Sequence, residues 1–312
     1  MNDVFGFKKG QPVTWYNKDL TKSNQYCPYC GACVGIGSQV ASDKEHLIAR
    51  NFVPKGSLDA GGFNFIFRAC QTCNSQKSNV ERHISSVTLF NSPGRSSDED
   101  VDALALHKAS HDYHPDKKGV LVKDASDHHS IEFGGGGVQV KFSLVGPPQL
   151  NPDAVCLLAC LHIQGIFSMI TSEDPREREK TKILPADKVL YFGHYTHLDW
   201  GNPHLMEIAR RSANWENYAN IVTANGYFKL LVKACNSGTK EWFWALEWNK
   251  FLRVVGVICS PSVEPELFSD LPELNWRPSP DGNCRSRREV PLPEEEDILF
   301  PSVEIEEELM KS

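Results

Sequence analysis

Two Cys-x-x-Cys pairs, Cys27–Cys30 and Cys70–Cys73, constrain this chain more than any other feature of its sequence. Two residues between cysteines allow both sulfur atoms to bind one ion at about 2.3 Å. Because 39 residues separate the pairs, they bracket an inserted element rather than form a short zinc ribbon. We therefore predict that the four cysteines bind one structural zinc ion, with Cys33 as the alternative ligand.

Length, composition and the N-terminal segment indicate the class of protein. The 312 residues are 40% hydrophobic and 23% charged, which allows a buried core and predicts two domains or one domain with appendages. The first ten residues contain no apolar run of the signal-peptide type. The longest apolar stretch, residues 154–170, is interrupted by His162 and Gln164, which favours a buried helix over a membrane span. We therefore expect a soluble cytoplasmic protein that does not bind a membrane, in which paired cysteines bind metal rather than form disulfides.

The net charge of −7 is unevenly distributed along the chain. Residues 262–312 contain 14 acidic and 5 basic side chains, which leaves residues 1–261 with a net charge of +2. The body of the protein can therefore bind a polyanion if its Lys and Arg side chains face one way. We expect the Pro-rich, acidic segment 261–312 to be an extended and flexible tail.

The insert between the cysteine pairs contains side chains suited to phosphodiester hydrolysis. That reaction needs an activated water molecule and a cation that neutralises charge on the phosphate. Histidine accepts a proton near neutral pH, so we predict His46, which follows Glu45, as the general base. Lys77 lies one helical turn after Asn74 and is predicted to contact a phosphate as a point charge. Further candidate phosphate contacts are Arg50, Lys55, Arg68 and Arg82.

The order of these residues resembles the HNH endonuclease family. The chain has Cys-x-x-Cys, then Glu-His at 45–46, Gly-Gly at 61–62, Asn64, and Cys-x-x-Cys-Asn-x-x-Lys ending at Lys77, over about 55 residues. The resemblance implies a zinc-bound ββα-metal fold in which Glu45 and Asn74 bind a catalytic Mg²⁺ or Mn²⁺ ion. It also implies that Asn64 orients the loop and the base histidine. The implied substrate is nucleic acid, double-stranded DNA rather than RNA, and the implied setting is defence or a mobile element.

Several assignments have open alternatives. Glu45 reaches the cation directly or through water, or it orients a neighbouring group instead. Asn74 is either a cation ligand or a helix cap, a position that Asn also favours. The module as a whole is either a nuclease or a non-catalytic zinc module that binds nucleic acid or protein. The last two interpretations share the cysteines and differ at His46.

The remaining sequence predicts a second, mixed domain, which makes the fold class α+β. A polar, turn-rich segment at 91–100 marks the boundary, so we expect the HNH module over 1–95, the α+β domain over 96–260 and the tail over 261–312. The predicted elements are helices over 101–111, from Pro152 and from Pro203, and strands over 120–122, 138–144, 227–234, 241–248 and 251–259. The last three strands form a meander whose first turn is at 236–238. This domain is expected to position the substrate, to form a homodimer or to sense a signal.

Two patterns in the second domain have a functional and a structural interpretation. His107 and His111 lie four residues apart on a predicted helix, which suits a second metal site or an exposed helix face. Trp242, Trp244 and Trp248 share one strand face, where they stack on bases or pack against the helix of residues 152–170. We favour the exposed helix face and the packed sheet.

Overall fold

A computed structural model of the chain describes residues 24–58, 64–92, 95, 97–115, 117–135, 138–148, 150–170, 189–196, 203–235, 241–260, 262, 267, 269, 277–278 and 284–288. The α-helices are α1 (Gln71–Phe90), α2 (Glu99–His111), α3 (Pro152–Ile170) and α4 (Pro203–Arg211). The first strands are β1 (Ser42–His46), β2 (Ile66–Cys70), β3 (Ser126–Gly135), β4 (Val138–Pro148) and β5 (Val189–Thr196). The later strands are β6 (Glu216–Thr223), β7 (Phe228–Ala234), β8 (Trp242–Trp248), β9 (Leu252–Cys259), β10 (Arg277–Pro278) and β11 (Cys284–Arg288). The predicted α+β class is confirmed.

Two antiparallel strands followed by a long helix form the N-terminal part of the structure. β1 pairs with β2 so that His46, the last residue of β1, lies opposite Ile66. α1 begins directly after β2, and the Cys70 sulfur accepts the amide hydrogen of Cys73 (3.5 Å) as the helix N-cap. Cys70 is thus both the last residue of β2 and the N-cap of α1, so the hairpin and the helix are joined without a loop.

A mixed sheet forms the second layer of the fold. Within the described residues, seven strands lie in the order β10-β11-β5-β9-β8-β7-β6. The meander predicted from the sequence is confirmed, since β7, β8 and β9 are antiparallel neighbours. The turn between β8 and β9 has positive φ at Asn249 (55°) and Lys250 (54°), as a tight hairpin turn requires. The turn predicted at 236–238 lies outside the described residues.

α3 is a buried helix that packs on this sheet. The ring of His162 lies 5.4 Å from the ring of Trp248, and the ring of Phe167 lies 4.8 Å from that of Trp242. Trp242, Trp244 and Trp248 are at most 8% exposed, so the packed-sheet interpretation is confirmed and base stacking on this strand is excluded. Among the described helices, none is long and apolar enough to cross a membrane.

The hydrophobic core continues from the sheet into the N-terminal part. Gly165 of α3 lies so close to Leu47 that an added Cβ would be 2.6 Å from Leu47 Cδ1. The Asn249 side chain donates hydrogen bonds to the Phe52 carbonyl (3.1 Å) and to Thr88 Oγ1 (2.8 Å). The predicted domain limits stay a prediction, but the sheet, α3 and the segment after β1 pack as direct neighbours.

Residues 120–122 do not form the predicted strand. Leu121 makes an isolated bridge to Tyr113, and Val122–Asp124 is a turn of 3₁₀-helix. Instead of pairing in a sheet, Val122 is buried with Val87 and Ala109 between α1 and α2. The strand that precedes the predicted β4 is instead β3, which pairs antiparallel with it.

Part of the predicted tail belongs to the sheet. β11 pairs in parallel with β5, and β10 pairs with β11. The expectation of a flexible tail is therefore wrong at Arg277–Pro278 and Cys284–Arg288, which pair as strands of the sheet. Without β11, β5 would be an edge strand with unpaired backbone groups, which favours the addition of a further strand. Residues 289–312 lie outside the described part of the chain.

Candidate functional site

Four cysteines converge where the N-terminal turn meets the start of α1. The sulfur atoms of Cys27, Cys30, Cys70 and Cys73 lie within 4.8 Å of one another, and those of Cys30 and Cys70 are 3.7 Å apart. Tetrahedral zinc with bonds of about 2.3 Å holds its sulfur ligands about 3.8 Å apart. The group can therefore hold one metal ion such as zinc. Cys33 is exposed and is not a member of the group among the described residues.

The pKa values of three of these thiols depend strongly on one another, as expected for sulfur atoms in one tight group. A hydrogen bond with Cys73 lowers the pKa of the Cys27 thiol to about 5, against the opposing effect of burial. Burial raises the pKa of Cys30 to about 11, and the hydrogen bond with Cys27 raises the pKa of Cys73. A divalent ion favours the thiolate form of all four sulfurs.

His46 is half-buried at the end of β1, at the edge of a cleft. Burial lowers the pKa of its imidazole below the usual 6.5, and the positive charges of Lys44, Arg50 and Lys77 lower that pKa further. The ring is therefore neutral at about pH 7 and can accept a proton. A general base requires this protonation state.

Asn64 fixes the backbone that follows His46. Its side-chain oxygen accepts the Ile48 amide hydrogen (3.0 Å), and its side-chain nitrogen donates to the Ile48 carbonyl (2.6 Å). Both backbone groups of Ile48 are thus satisfied by one amide, two residues after the candidate base. This geometry suits the role that the family resemblance implies for Asn64, which is to orient the loop of the base histidine.

A buried group of charges lies behind the same loop. Lys77 Nζ is 2.8 Å from Glu45 Oε1 and 2.7 Å from Glu81 Oε1, and the three residues are at most 6% exposed. His162 of α3 lies 3.6 Å from Glu81. Burial raises the pKa of Glu45, whereas in Glu81 the effect of burial is outweighed by Lys77 and His162, which lower the pKa. The group thus links α1, β1 and α3 at one point.

Two members of this group hold the His46 loop by its backbone. Lys77 Nζ donates to the His46 carbonyl (3.2 Å), and Glu81 Oε1 accepts the amide hydrogen of Ala49 (3.3 Å). Lys77 was expected to contact a phosphate, but its ammonium is 1% exposed and faces two carboxylates. Two carboxylates are buried in this position only with a compensating cation, which accounts for the location of the ammonium.

The two residues expected to bind a catalytic cation differ in their surroundings. Glu45 lines the cleft, and Lys77 and Tyr29 (3.2 Å) both contact its Oε1, so Oε2 is the oxygen left for a cation. Asn74 is half-buried in the first turn of α1, one turn before the cleft-lining Ser78 on the same helix face. In the described part of the chain, the cysteines are the one cluster of three or more His, Cys, Asp or Glu residues that suits a metal ion. A catalytic Mg²⁺ or Mn²⁺ site at Glu45 and Asn74 stays a prediction.

A cleft with a volume of about 590 Å³ opens beside His46. Its lining includes four cations from three segments of the chain, which are Arg50, Lys55, Arg82 and Lys108. The side chains of these four residues make no hydrogen bond or ion pair with the described part of the chain. Of the four further candidate phosphate contacts predicted besides Lys77, three (Arg50, Lys55 and Arg82) therefore meet at this cleft. The fourth, Arg68, is not in the lining, and its guanidinium donates to Ser42 Oγ (2.7 Å).

The carboxylates of the cleft are each held by another side chain. Glu45 and Glu81 share the Lys77 ammonium, and Asp112 accepts a hydrogen bond from the Ser86 hydroxyl. The cations of the lining consequently keep their charge available for an anion from outside. A phosphate group is an anion of this kind, and both Lys and Arg bind it.

One wall of the cleft comes from α2, which lies outside the segment that resembles the HNH family. Leu104, His107, Lys108 and His111 line the cleft at helical spacing. The rings of His107 and His111 are 4.2 Å apart, but they belong to no metal-binding group of the described residues. The spacing of the two histidines identified this helix face from the sequence, whereas nothing in the sequence indicated that the face meets His46.

Comparison with known proteins gives no match: no protein-family model, curated protein or solved structure matches this chain. The geometry of the cysteine group, the His46 loop and the cleft is therefore the basis for a functional proposal.

Proposed function

We propose that this chain is a metal-dependent endonuclease of the HNH type that hydrolyses phosphodiester bonds of nucleic acid, DNA in preference to RNA. The observation that carries the proposal is a neutral imidazole, on a loop fixed by its backbone, at the edge of a cleft with four cations that make no side-chain hydrogen bond or ion pair within the described residues. The strand–strand–helix order of β1, β2 and α1 and the four-cysteine group support the assignment to the HNH type.

In the proposed reaction, a phosphodiester of the substrate strand lies beside His46. The imidazole accepts a proton from a water molecule while the water oxygen attacks phosphorus and the ester oxygen of the strand leaves. A positioned general base contributes roughly 10²–10⁴-fold to the rate. Arg50 lines the same cleft and would neutralise charge that develops on the phosphate oxygens.

The ligands proposed for a catalytic Mg²⁺ or Mn²⁺ ion are Glu45 and Asn74, as the family resemblance implies. Since Lys77 and Tyr29 contact Glu45 Oε1, the proposed ligand atom is Oε2. When bound, such a cation would activate the attacking water and neutralise negative charge that develops on the phosphate. In this scheme Lys77 holds Glu45 in place and fixes the carbonyl of His46 rather than contacting the substrate.

Zinc at the four cysteines is proposed to have a structural role. Cys70 and Cys73 stand at the junction of β2 and α1, so a bound ion would hold the hairpin and the helix together. This region is small, and a metal ion replaces part of the stabilisation that a larger core would provide. The proposed substrate is double-stranded DNA, and the segment 96–260 is proposed to position it or to form a homodimer.

The buried Lys77–Glu45 pair favours a second candidate function. Because an ammonium lies 2.8 Å from Glu45, a cation at this carboxylate has to compete with it. A chain in which no cation binds there would be a non-catalytic zinc module that binds nucleic acid through the cleft.

Nicking of supercoiled plasmid separates the two candidates. The full chain is incubated with plasmid in Mg²⁺, in Mn²⁺ and without either ion, next to a His46→Ala variant purified in parallel. The nuclease proposal predicts nicking by the wild-type chain that requires the added ion and is lost in the variant. Nicking at equal rates by both proteins, or by neither with any ion, would favour the non-catalytic module.

A further inference from the structure

Two cations on neighbouring helices line the cleft, and neither side chain makes a hydrogen bond or ion pair with the residues that the structure describes. Arg82 is exposed on α1, and Lys108 is half-buried on α2. Burial is the main effect that lowers the pKa of Lys108, and the charge of Arg82 is near enough to lower that pKa further. Two like charges on packed helices repel each other, so an anion bound between them would stabilise the arrangement.

The acidic groups nearest to Lys108 do not neutralise the pair. The charge of Asp112, one helical turn further along α2, favours the ammonium form of Lys108. However, Asp112 accepts a hydrogen bond from Ser86 and makes no ion pair with Lys108 in the described part of the chain. Glu81 also faces Lys108, but it is bound to Lys77. An external anion therefore has two cations available at this end of the cleft.

We infer that Lys108 and Arg82 form a binding site for a phosphate group of the substrate strand, separate from the phosphodiester at His46. This inference rests on the proposed function and extends it to α2. His46, Arg82 and Lys108 line one cleft, so one strand can contact all three residues. The phosphate at Lys108 and Arg82 then belongs to the strand that is cut. Lys contributes a point charge and Arg a planar pair of donors, both of which suit phosphate oxygens.

Binding of a fluorescein-labelled duplex of 20 base pairs, measured by anisotropy, tests this site. The full-length His46→Ala chain is used as the background so that the probe stays intact, and Lys108→Met and Arg82→Gln are added singly and together. Each lost phosphate contact should weaken binding about eightfold in 0.1 M salt and reduce the salt slope of log K by about 1. Lys108→Arg should bind as the background does. The matched control is Lys123→Met, which removes an exposed lysine outside the cleft.

The outcomes separate this inference from the nuclease proposal. An unchanged affinity and salt slope in both single variants would overturn the phosphate site while leaving plasmid nicking by the wild type unaffected. An equal loss in Lys123→Met, or no measurable duplex binding by any form, would overturn it as well. If the duplex binds through these two residues but no metal ion supports nicking, the nuclease proposal fails and the binding site stands. Arg82 is exposed, so its variant keeps the test valid if Lys108→Met does not fold.

Discussion

Replacing Lys77 with methionine tests whether the buried charges behind the His46 loop stabilise the protein. The ammonium is 1% exposed, and it is the cation shared by Glu45 at 2.8 Å and Glu81 at 2.7 Å. Methionine fills a similar volume but leaves two buried carboxylates without a positive charge. Removing one partner of a buried ion pair typically costs about 3–5 kcal/mol. We expect the free energy of unfolding to fall by about that amount.

Urea denaturation at neutral pH, with zinc in the buffer, measures this loss. The double variant Lys77→Met/Glu81→Gln should regain part of the stability, because it has one uncompensated carboxylate fewer. Lys123→Met is the matched control, since this lysine is exposed, and it should change the free energy of unfolding by less than about 0.5 kcal/mol. A loss below about 1 kcal/mol in Lys77→Met, or no recovery in the double variant, would refute the reasoning.

Three further predictions concern the metal, the loop and pH. Metal analysis should find one zinc ion per chain, and Cys73→Ser should lower both the zinc content and the thermal midpoint; an unchanged midpoint would count against a structural ion. Asn64→Ala should reduce the free energy of unfolding in urea by about 1–3 kcal/mol, because both backbone groups of Ile48 lose their partner, and no loss would contradict this. Burial keeps the pKa of His162 below 6.5 in the folded state, so the unfolded chain binds the proton first as the pH falls. Denaturation at about pH 7 and about pH 5 should therefore show a larger loss of stability in the wild type than in His162→Gln, and equal losses would exclude this role for His162.

The parts of the fold that the sequence predicted are those that depend on the spacing of residues close together in the chain. The spacing of the cysteine pairs predicted the four-sulfur group, and alternating and continuous apolar runs predicted α3 and the meander of β7, β8 and β9. The strand expected at 120–122 is absent because Val122 is buried between two helices instead of pairing in a sheet. The strand β11 was missed because its sequence, Cys-Arg-Ser-Arg-Arg, has no apolar pattern and its pairing with β5 is non-local.

The same distinction applies to the candidate site. His46 and Arg50 could be named from the sequence because their chemistry and their positions within the motif were both visible. The location of Lys77 could not, because its carboxylate partner Glu45 is 32 positions away and becomes a neighbour only when β1 packs on α1. Lys108 was not identified for a similar reason, since only the packing of α2 on α1 brings it to the cleft. Side chains whose role depends on long-range contacts are the ones that a motif does not reveal.

The proposed role of His46 is that of a general base in a metal-dependent cleavage of DNA. Its most direct measurement is the initial rate of plasmid nicking by His46→Ala relative to the wild type, in Mg²⁺ or Mn²⁺, with zinc content and thermal midpoint recorded for both proteins. We expect the rate to fall by at least about 100-fold in a variant that keeps its zinc and its thermal midpoint. Nicking by the folded variant at the wild-type rate would contradict the claim.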